Sequence, residues 1–250
     1  RQGGAKALLA AERRHAPLER QRLRVVASEA VGRYRLLTVD GSDQPPAPGQ
    51  FYMLATAERW GGEEGRPWLA RPFSHATADP LTFLVDPVGP GSRRLASVAV
   101  GEELLALGPL GRGFALVEGR RALLVGGGIG VAPLAALAEA LDGSCEALLG
   151  FRDEPCARAA RLVAATEVAL ASDDGSVGRR GVVTELLAER LARSDHEDCA
   201  IYACGPEPML AEVGRIARAR GVPCQLAYEA PMACGYGACF GCAVATRAGF

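Results

Sequence analysis

The sequence lacks both a long apolar run and a large net charge. No hydrophobic stretch approaches the ~20 residues that a transmembrane helix needs, and residues 1–20 lack the uninterrupted apolar core of a signal peptide. With 28 Lys+Arg against 29 Asp+Glu, the formal charge of −1 creates no field that would attract nucleic acid or an anionic membrane. We therefore expect a cytoplasmic globular protein, without affinity for nucleic acid or membrane, whose partners bind at specific sites.

Histidine is also scarce. The three histidines are too scattered to form a catalytic triad, and no catalytic side chain is predicted. His75 is interpreted as a packed or surface residue, which is the commoner role of a lone histidine. If the protein is an enzyme, bound cofactors are expected to carry the chemistry.

Residues 22 to about 116 consist of short alternating apolar segments separated by Gly, Pro and Asp turns. Segments such as RYRLLTVD, FYMLATA and LTFLVD are typical of antiparallel strands and predict a small β-barrel over residues 22–119. Residues 40–49 and 60–67 contain several turn-forming residues close together and are predicted to be loops. A short helix is expected at residues 92–98. Residues 1–21 are interpreted as an N-terminal extension, clipped at its start because no initiating Met is present.

After Gly119 the pattern changes to apolar strands that alternate with Ala/Leu-rich helices, for example RALLVGG followed by VAPLAALAEAL. This alternation predicts βαβ units and a parallel-sheet α/β domain over residues 120–229. Residues 230–250 include APMACGYGACFGCAV, which is too rich in Gly and Cys to continue either pattern. We interpret them as a loop that wraps a cofactor.

Three cysteines in this last segment have the spacing C-x4-C-x2-C, at Cys234, Cys239 and Cys242. Plant-type loops use this spacing to wrap thiolates around a [2Fe-2S] cluster, and interspersed glycines let the backbone turn tightly. A structural zinc site is an alternative, although zinc sites usually add a second Cys or His pair at similar spacing. Inert thiols are a further alternative.

A [2Fe-2S] cluster needs four ligands, and no cysteine follows Cys242 before Phe250. Either the sequence is truncated or the fourth ligand lies elsewhere. The remaining cysteines are scattered, and four of them are interpreted as small buried hydrophobes. Cys204 differs because it ends a predicted strand at a Cys-Gly-Pro turn, where open α/β sheets bind ligands.

Two further segments have the composition of nucleotide sites. Strand RALLV runs into GGGIG and a helix that begins near Pro133, so that a pyrophosphate can approach backbone N–H groups at a helix N-terminus. The glycines do not form a strict G-x-G-x-x-G, and a tight turn that binds nothing remains an alternative. In the predicted barrel, RPFS joins a cation, a flat ring and a hydroxyl on one strand, which suits a flavin dinucleotide as well as an ordinary strand.

The motifs follow one another in the order RPFS, VGPGS, LLVGGGIGVAPL, YACGPEPML and MACGYGACFGC. In this order they resemble the ferredoxin-NADP reductase superfamily, whose members pair an FAD-binding antiparallel barrel with a nicotinamide-binding α/β domain. Within it, the chain looks like the electron-transfer subunits of dihydroorotate dehydrogenase B. The resemblance covers nearly the whole chain from about residue 22, and the cysteine loop is its most specific part.

The resemblance implies three cofactor sites. The FAD site would comprise Arg71, Pro72, Phe73, Ser74, Leu84, Val85, Asp86, Gly91 and Ser92. The NAD site would comprise Gly126, Gly127, Gly128, Ile129, Gly130, Cys204, Gly205 and Pro206. The [2Fe-2S] cluster would be held by Cys234, Cys239 and Cys242.

The resemblance also implies a function in pyrimidine (UMP) biosynthesis. Electrons from dihydroorotate would pass from FMN on a separate catalytic subunit through the [2Fe-2S] cluster and FAD to NAD⁺, in a heterotetramer of two of each subunit. Asp153, Glu154, Asp173 and Asp174 favour NAD over NADP because acidic neighbours disfavour a 2′-phosphate, although Arg152 could bind one.

Two alternative functions remain open. The chain could be a related reductase subunit that serves ferredoxin, polysulfide or hydrogenase partners. It could also be a non-catalytic, zinc-binding interaction module that retains a reductase scaffold.

Overall fold

The structure is a computed structural model that describes residues 20–42, 44–61, 66–192 and 198–245. Most of the predicted N-terminal extension, residues 1–19, and the last residues, 246–250, lie outside the described ranges. Within these ranges, none of the helices has the length and apolar character needed to span a bilayer.

Six antiparallel strands form the first part of the chain. They are β1 (Arg20–Val31), β2 (Tyr34–Asp40), β3 (Phe51–Thr56), β4 (Arg71–Ala78), β5 (Leu81–Val85) and β6 (Glu103–Leu110). They close into a barrel in the order β1-β2-β5-β4-β3-β6. Leu23 and Val25 of β1, like Tyr52 and Leu54 of β3, are buried in the barrel core, as the period-2 alternation of strands requires.

A short helix, α1 (Pro90–Ala96), connects β5 to β6 and begins before the predicted start at Ser92. Proline suits the first turn of a helix because its missing N–H would have no partner there. The hydroxyl of Ser92 accepts a hydrogen bond from the Gly89 N–H at 3.0 Å. Ser92 therefore caps the helix from within the first turn and does not precede it.

The second part of the chain is a parallel sheet with helices on both faces. Its strands are β7 (Arg121–Gly127), β8 (Cys145–Phe151), β9 (Glu167–Ser172), β10 (Arg179–Arg180), β11 (Cys199–Cys204) and β12 (Cys224–Ala227). Its α-helices are α2 (Val131–Ala140), α3 (Glu154–Ala157), α4 (Val183–Arg190) and α5 (Glu207–Arg220). The strand order is β10-β9-β8-β7-β11-β12. The sequence pattern does not predict β10, β12 or α3, because such short elements show no periodicity.

One apolar core joins the barrel to the parallel sheet. Tyr34 and Leu84 of the barrel belong to the same buried cluster as Leu134 and Leu137 of α2. At the edge of this contact, the Ala78 N–H donates a hydrogen bond to the Glu139 carboxylate at 3.0 Å. The predicted fold class, an antiparallel barrel followed by a parallel-sheet α/β domain, is confirmed, and the two parts pack directly on each other.

Candidate functional site

A cleft of about 280 Å³ lies where the barrel meets the beginning of α2. The barrel side contributes Arg71, Pro72, Phe73, Ser74, Leu84, Asp86, Val88, Gly89 and Ser92. The opposite side contributes Ile129, Ala132, Pro133 and Glu229. The fold therefore brings the predicted flavin segments into one cleft, together with Ile129 of the predicted nicotinamide segment.

Two of the predicted flavin residues do not line this cleft. Val85 is buried in the barrel core. Gly91 lies beneath the side chain of Arg71, and a Cβ at this position would lie 2.9 Å from both Cγ and Nε of Arg71. A larger residue here would require the Arg71 side chain to shift, so glycine allows the guanidinium group to keep this position in the cleft. Arg71 is also tied to the backbone, since its Nη1 donates a hydrogen bond to the Leu69 carbonyl.

Asp86 is held in place by Arg33, which the sequence analysis did not identify. Oδ1 of Asp86 accepts hydrogen bonds from Nη2 of Arg33 at 2.7 Å and from Nε at 3.1 Å. The pair is partly exposed, so its contribution to stability is small. Its main effect is positional, because it ties the cleft wall at the end of β5 to the turn between β1 and β2.

The two predicted nicotinamide segments meet at the carboxyl ends of neighbouring strands. In the register of β7 and β11, Gly126 lies opposite Cys204. A Cβ on Gly130 would lie 2.5 Å from the carbonyl carbon of Cys204 and 2.7 Å from the nitrogen of Gly205. Glycine therefore permits the two segments to touch backbone to backbone, at the edge where open α/β sheets bind ligands.

These segments contain both an open backbone position and a buried thiol. Gly128 has φ of +54° and would have no atom within 4 Å of an added Cβ, so its backbone borders open space. The thiol of Cys204 is buried, and burial raises its pKa to about 12. This thiol is therefore neutral at physiological pH and is not a candidate nucleophile.

Glu229 is a cleft residue that sequence reasoning missed. It follows β12 and precedes the cysteine loop, and it lines the cleft together with β4, the strand predicted to bind a flavin. Glu229 is exposed as a residue, but the cleft walls partly desolvate its carboxyl group, which raises the pKa of that group above the usual range. No local pattern identifies it, because its place in the cleft depends on how the barrel packs against the sheet.

The cysteine loop, residues 230–245, follows β12 and contains no helix or strand. The Cys239 N–H donates a hydrogen bond to Sγ of Cys234 at 3.4 Å. Hydrogen bonds from backbone N–H groups lower the pKa of Cys234 to about 6, with the largest effect from Cys239 and the next largest from Tyr236. Cys234 is therefore mostly thiolate at neutral pH, which is the form that binds metal.

The three loop thiols are not assembled around a single point. Among the residues that the structure describes, no group of three or more His, Cys, Asp or Glu is arranged to hold a metal ion. The donor chemistry nevertheless fits an iron-sulfur cluster, because cysteine thiolates that accept backbone N–H bonds are its usual ligands. Gly235 and Gly237, with φ of +77° and +85°, provide the left-handed turns that such a loop needs.

The four cysteines interpreted as packing residues are Cys145, Cys156, Cys199 and Cys224. Cys145, Cys156 and Cys199 are buried, Cys224 is half-buried, and none of the four forms a disulfide. Burial raises the pKa of Cys145 and of Cys224 to about 11. These thiols thus differ chemically from Cys234.

The fold and the cleft define a two-domain reductase of the ferredoxin-NADP reductase class. The chain is similar to the solved ferredoxin reductase of carbazole 1,9a-dioxygenase, with a TM-score of 0.71 and 26% identity over 85% of this chain and 70% of that one. It is also similar to an NADH-dependent reduced ferredoxin-NADP oxidoreductase, with a TM-score of 0.70 and 25% identity over 88% of this chain and 80% of that one.

Sequence comparison gives the particular family. The chain is 36% identical over 214 residues to the dihydroorotate dehydrogenase B (NAD⁺) electron transfer subunit of Caldanaerobacter subterraneus subsp. tengcongensis. The aligned region covers 84% of this chain and 82% of that protein. No family model matches the chain. The chain belongs to the family of dihydroorotate dehydrogenase B electron transfer subunits. This confirms the class predicted from the motifs, an oxidoreductase subunit that transfers electrons, and neither alternative function is favoured.

Proposed function

We propose that this chain carries electrons from the FMN of a dihydroorotate dehydrogenase catalytic subunit to NAD⁺. The observation that supports this most is the shared cleft, in which the flavin strand β4 faces Ile129 of the nicotinamide segment and Glu229 of the segment that leads to the cysteine loop. A flavin bound along this lining would lie next to the segments proposed to hold its electron donor and its hydride acceptor.

In this proposal, FAD binds along β4, β5 and α1. Arg71 offers a permanent cation for a phosphate, and Ser74 offers a hydroxyl to the polar edge of the ring. Phe73 supplies an apolar surface, and the pairing of Asp86 with Arg33 keeps that wall of the cleft in place. When bound, FAD would accept two electrons, one at a time, with one proton, and return them to NAD⁺ as a hydride.

The nicotinamide nucleotide binds at the glycine turn after β7 and the Cys-Gly-Pro turn after β11. Its preference for NAD rests on the acidic strand ends. Nε of Arg152 is paired with Oδ2 of Asp153 at 3.1 Å, and the Asp174 N–H donates to the Arg152 carbonyl at 3.4 Å. Because Arg152 already has an anionic partner and a second carboxylate lies nearby, a 2′-phosphate would be repelled.

The cysteine loop holds the [2Fe-2S] cluster through Cys234, Cys239 and Cys242 and a fourth ligand. Hydrogen bonds from backbone N–H groups to the sulfur of Cys234 lower its pKa and maintain it as a thiolate. The assembly is a heterotetramer of two of each subunit in the cytoplasm, with no membrane attachment. We assign residues 22–119 to the FAD domain, 120–229 to the NAD domain and 230–250 to the cluster loop.

Metal and flavin analysis of the full chain, purified without oxygen, tests this function. We expect FAD, iron and acid-labile sulfide with little zinc, and bleaching of the flavin absorbance on addition of NADH. The variant C234S should lose iron and sulfide and retain FAD. C145S is the matched control, because Cys145 is buried far along the chain from the loop, and its iron content should not change.

Two results would contradict the proposal. Zinc in place of iron would favour the interaction module. Flavin that stays oxidised with excess NADH would remove the nicotinamide assignment.

A further inference from the structure

Met53 is buried although it points away from the barrel core. Its neighbours on β3, Tyr52 and Leu54, belong to the core, and alternate residues of a strand face opposite sides. Met53 must therefore face outward, yet only 2% of its surface is exposed. Another part of the protein has to cover it.

The cysteine loop covers this side chain. A Cβ on Gly235 would lie 2.5 Å from Cγ and 2.8 Å from Sδ of Met53, and 3.3 Å from Cδ1 of Leu110. Gly235 directly follows Cys234, so the contact lies next to the first proposed cluster ligand. The loop thus rests on an apolar seat formed by Met53 and Leu110, which we call the loop seat.

The loop seat adjoins the flavin strand. In the register of β3 and β4, Met53 lies opposite Pro72, and side chains of such directly opposed residues have Cβ atoms about 4.5–5.5 Å apart on the same face of the sheet. Pro72 lines the cofactor cleft. A single side chain therefore separates the cysteine loop from a residue of the cleft wall.

We infer that Met53 is a positioning residue that holds the cysteine loop against the flavin strand and so sets the distance between cluster and flavin. This inference rests on the proposed function. For each electron that crosses, the cluster is oxidised by one electron and the flavin is reduced by one, or the reverse when NADH is the donor. Because this transfer depends on distance, a loop that is lifted from its seat transfers electrons more slowly.

A pair of glycine variants separates the seat from general loop strain. Gly235→Ala puts a methyl group into Met53, whereas Gly237→Ala has no atom within 4 Å of the new Cβ. Both glycines have positive φ, at +77° and +85°, so both alanines carry the same kind of backbone strain. The difference between the two variants measures the contact with Met53.

Variants at Met53 complete the series. Met53→Leu keeps the volume and should preserve the seat, since volume-conserving swaps are tolerated best. Met53→Ala removes the Cγ and Sδ atoms on which Gly235 rests, and so leaves the loop without support. In the double variant G235A/M53A the new methyl group gains room, and the effect of G235A should be partly rescued.

The readouts are iron, sulfide and FAD per chain, followed by anaerobic stopped-flow mixing with NADH and electron paramagnetic resonance of the reduced cluster. We expect normal FAD content and normal reduction of the flavin by NADH in every variant. Electron transfer from flavin to cluster should be several-fold slower in G235A and M53A than in G237A and M53L, because the rate of electron transfer falls as the distance between the two groups grows. Loss of iron from G235A alone would support the seat in the same way.

Two outcomes would overturn the inference. One is equal slowing in G235A and G237A, and the other is an unchanged transfer rate in M53A. An unsubstituted protein that binds FAD and lacks iron would instead contradict the proposed function itself, so the two failures are distinguishable.

Discussion

Gly130 offers the sharpest test of the nicotinamide site. Its φ and ψ of −61° and −5° are right-handed helical, so alanine accepts the same backbone without strain. An added Cβ, however, would lie 2.5 Å from the carbonyl carbon of Cys204 and 2.7 Å from the nitrogen of Gly205. Both are backbone atoms, which cannot rotate out of the way. The variant G130A must therefore push the two turns apart.

The size of this displacement follows from the contact distance. Ordinary contacts begin at 3.4 Å, so the carbonyl carbon of Cys204 has to move by 3.4 − 2.5 = 0.9 Å. Overpacking of this kind costs about 1–3 kcal/mol, and each kcal/mol lowers Tm by about 2–4 °C in a protein of this size. A displacement near 1 Å in a substrate-positioning segment can also lower kcat/KM by about 10²-fold.

The assay compares G130A with G214A. Gly214 lies in α5, where an added Cβ meets Cδ1 of Leu226 at an ordinary 3.4 Å. G214A is therefore a control that makes the same substitution on helical backbone without a steric clash with a neighbouring backbone. We expect G130A to lower Tm and kcat/KM for NADH with an artificial acceptor while its FAD content stays normal. Equal Tm and kcat/KM in the two variants would refute the steric reasoning and the placement of the nucleotide at this turn.

Three further predictions concern the core, a buried histidine and a carboxyl group that lines the cleft. Leu134 is fully buried in the core that joins the two domains. The variant L134A should therefore lower the free energy of unfolding, measured in urea, by about 2–5 kcal/mol. A loss under about 1 kcal/mol would contradict a shared core at this position. Burial lowers the pKa of His75 to about 4 from 6.5, so the unfolded chain takes up a proton first as the pH falls, and stability should decline between these values by about 3 kcal/mol. H75N should flatten this decline in urea unfolding, and an unchanged slope would contradict it. Partial desolvation raises the pKa of the Glu229 carboxyl group above its ordinary value of 4.5, so the neutral form stabilises the folded state and this contribution is lost as the pH rises through the raised pKa. In thermal melts above pH 4.5, E229Q should lose less stability with rising pH than the unsubstituted protein, and parallel curves would count against a desolvated carboxyl group.

The fold class follows from local sequence patterns. Alternating apolar residues mark the barrel strands, and strands that alternate with Ala/Leu-rich helices mark the parallel sheet, because each pattern reflects the period of one element. The patterns do not indicate the short strands β10 and β12, which are formed by pairing with longer neighbours. They also place the start of α1 too late, since Pro90 rather than Ser92 begins the helix.

The candidate site was predictable where it depends on residue types and not where it depends on packing. The glycine turns, the RPFS strand and the cysteine spacing each indicate a kind of binding chemistry from a short segment of sequence. Arg33, Met53 and Glu229 carry no such signal, because their roles arise from segments that are distant in the chain. Arg33, for example, acquires its role only when the end of β5 is placed beside the turn after β1.

The amino-acid sequence alone determined which chemical groups are available and in what order, since glycine freedom, thiolate spacing and strand alternation are properties of short segments. Tertiary structure alone decided which of these groups share a cleft, which thiols are buried, and which segment rests on Met53. The physical reason is that strand register and domain packing bring together atoms from remote segments. Burial then shifts the pKa values of those groups in ways that no local pattern encodes.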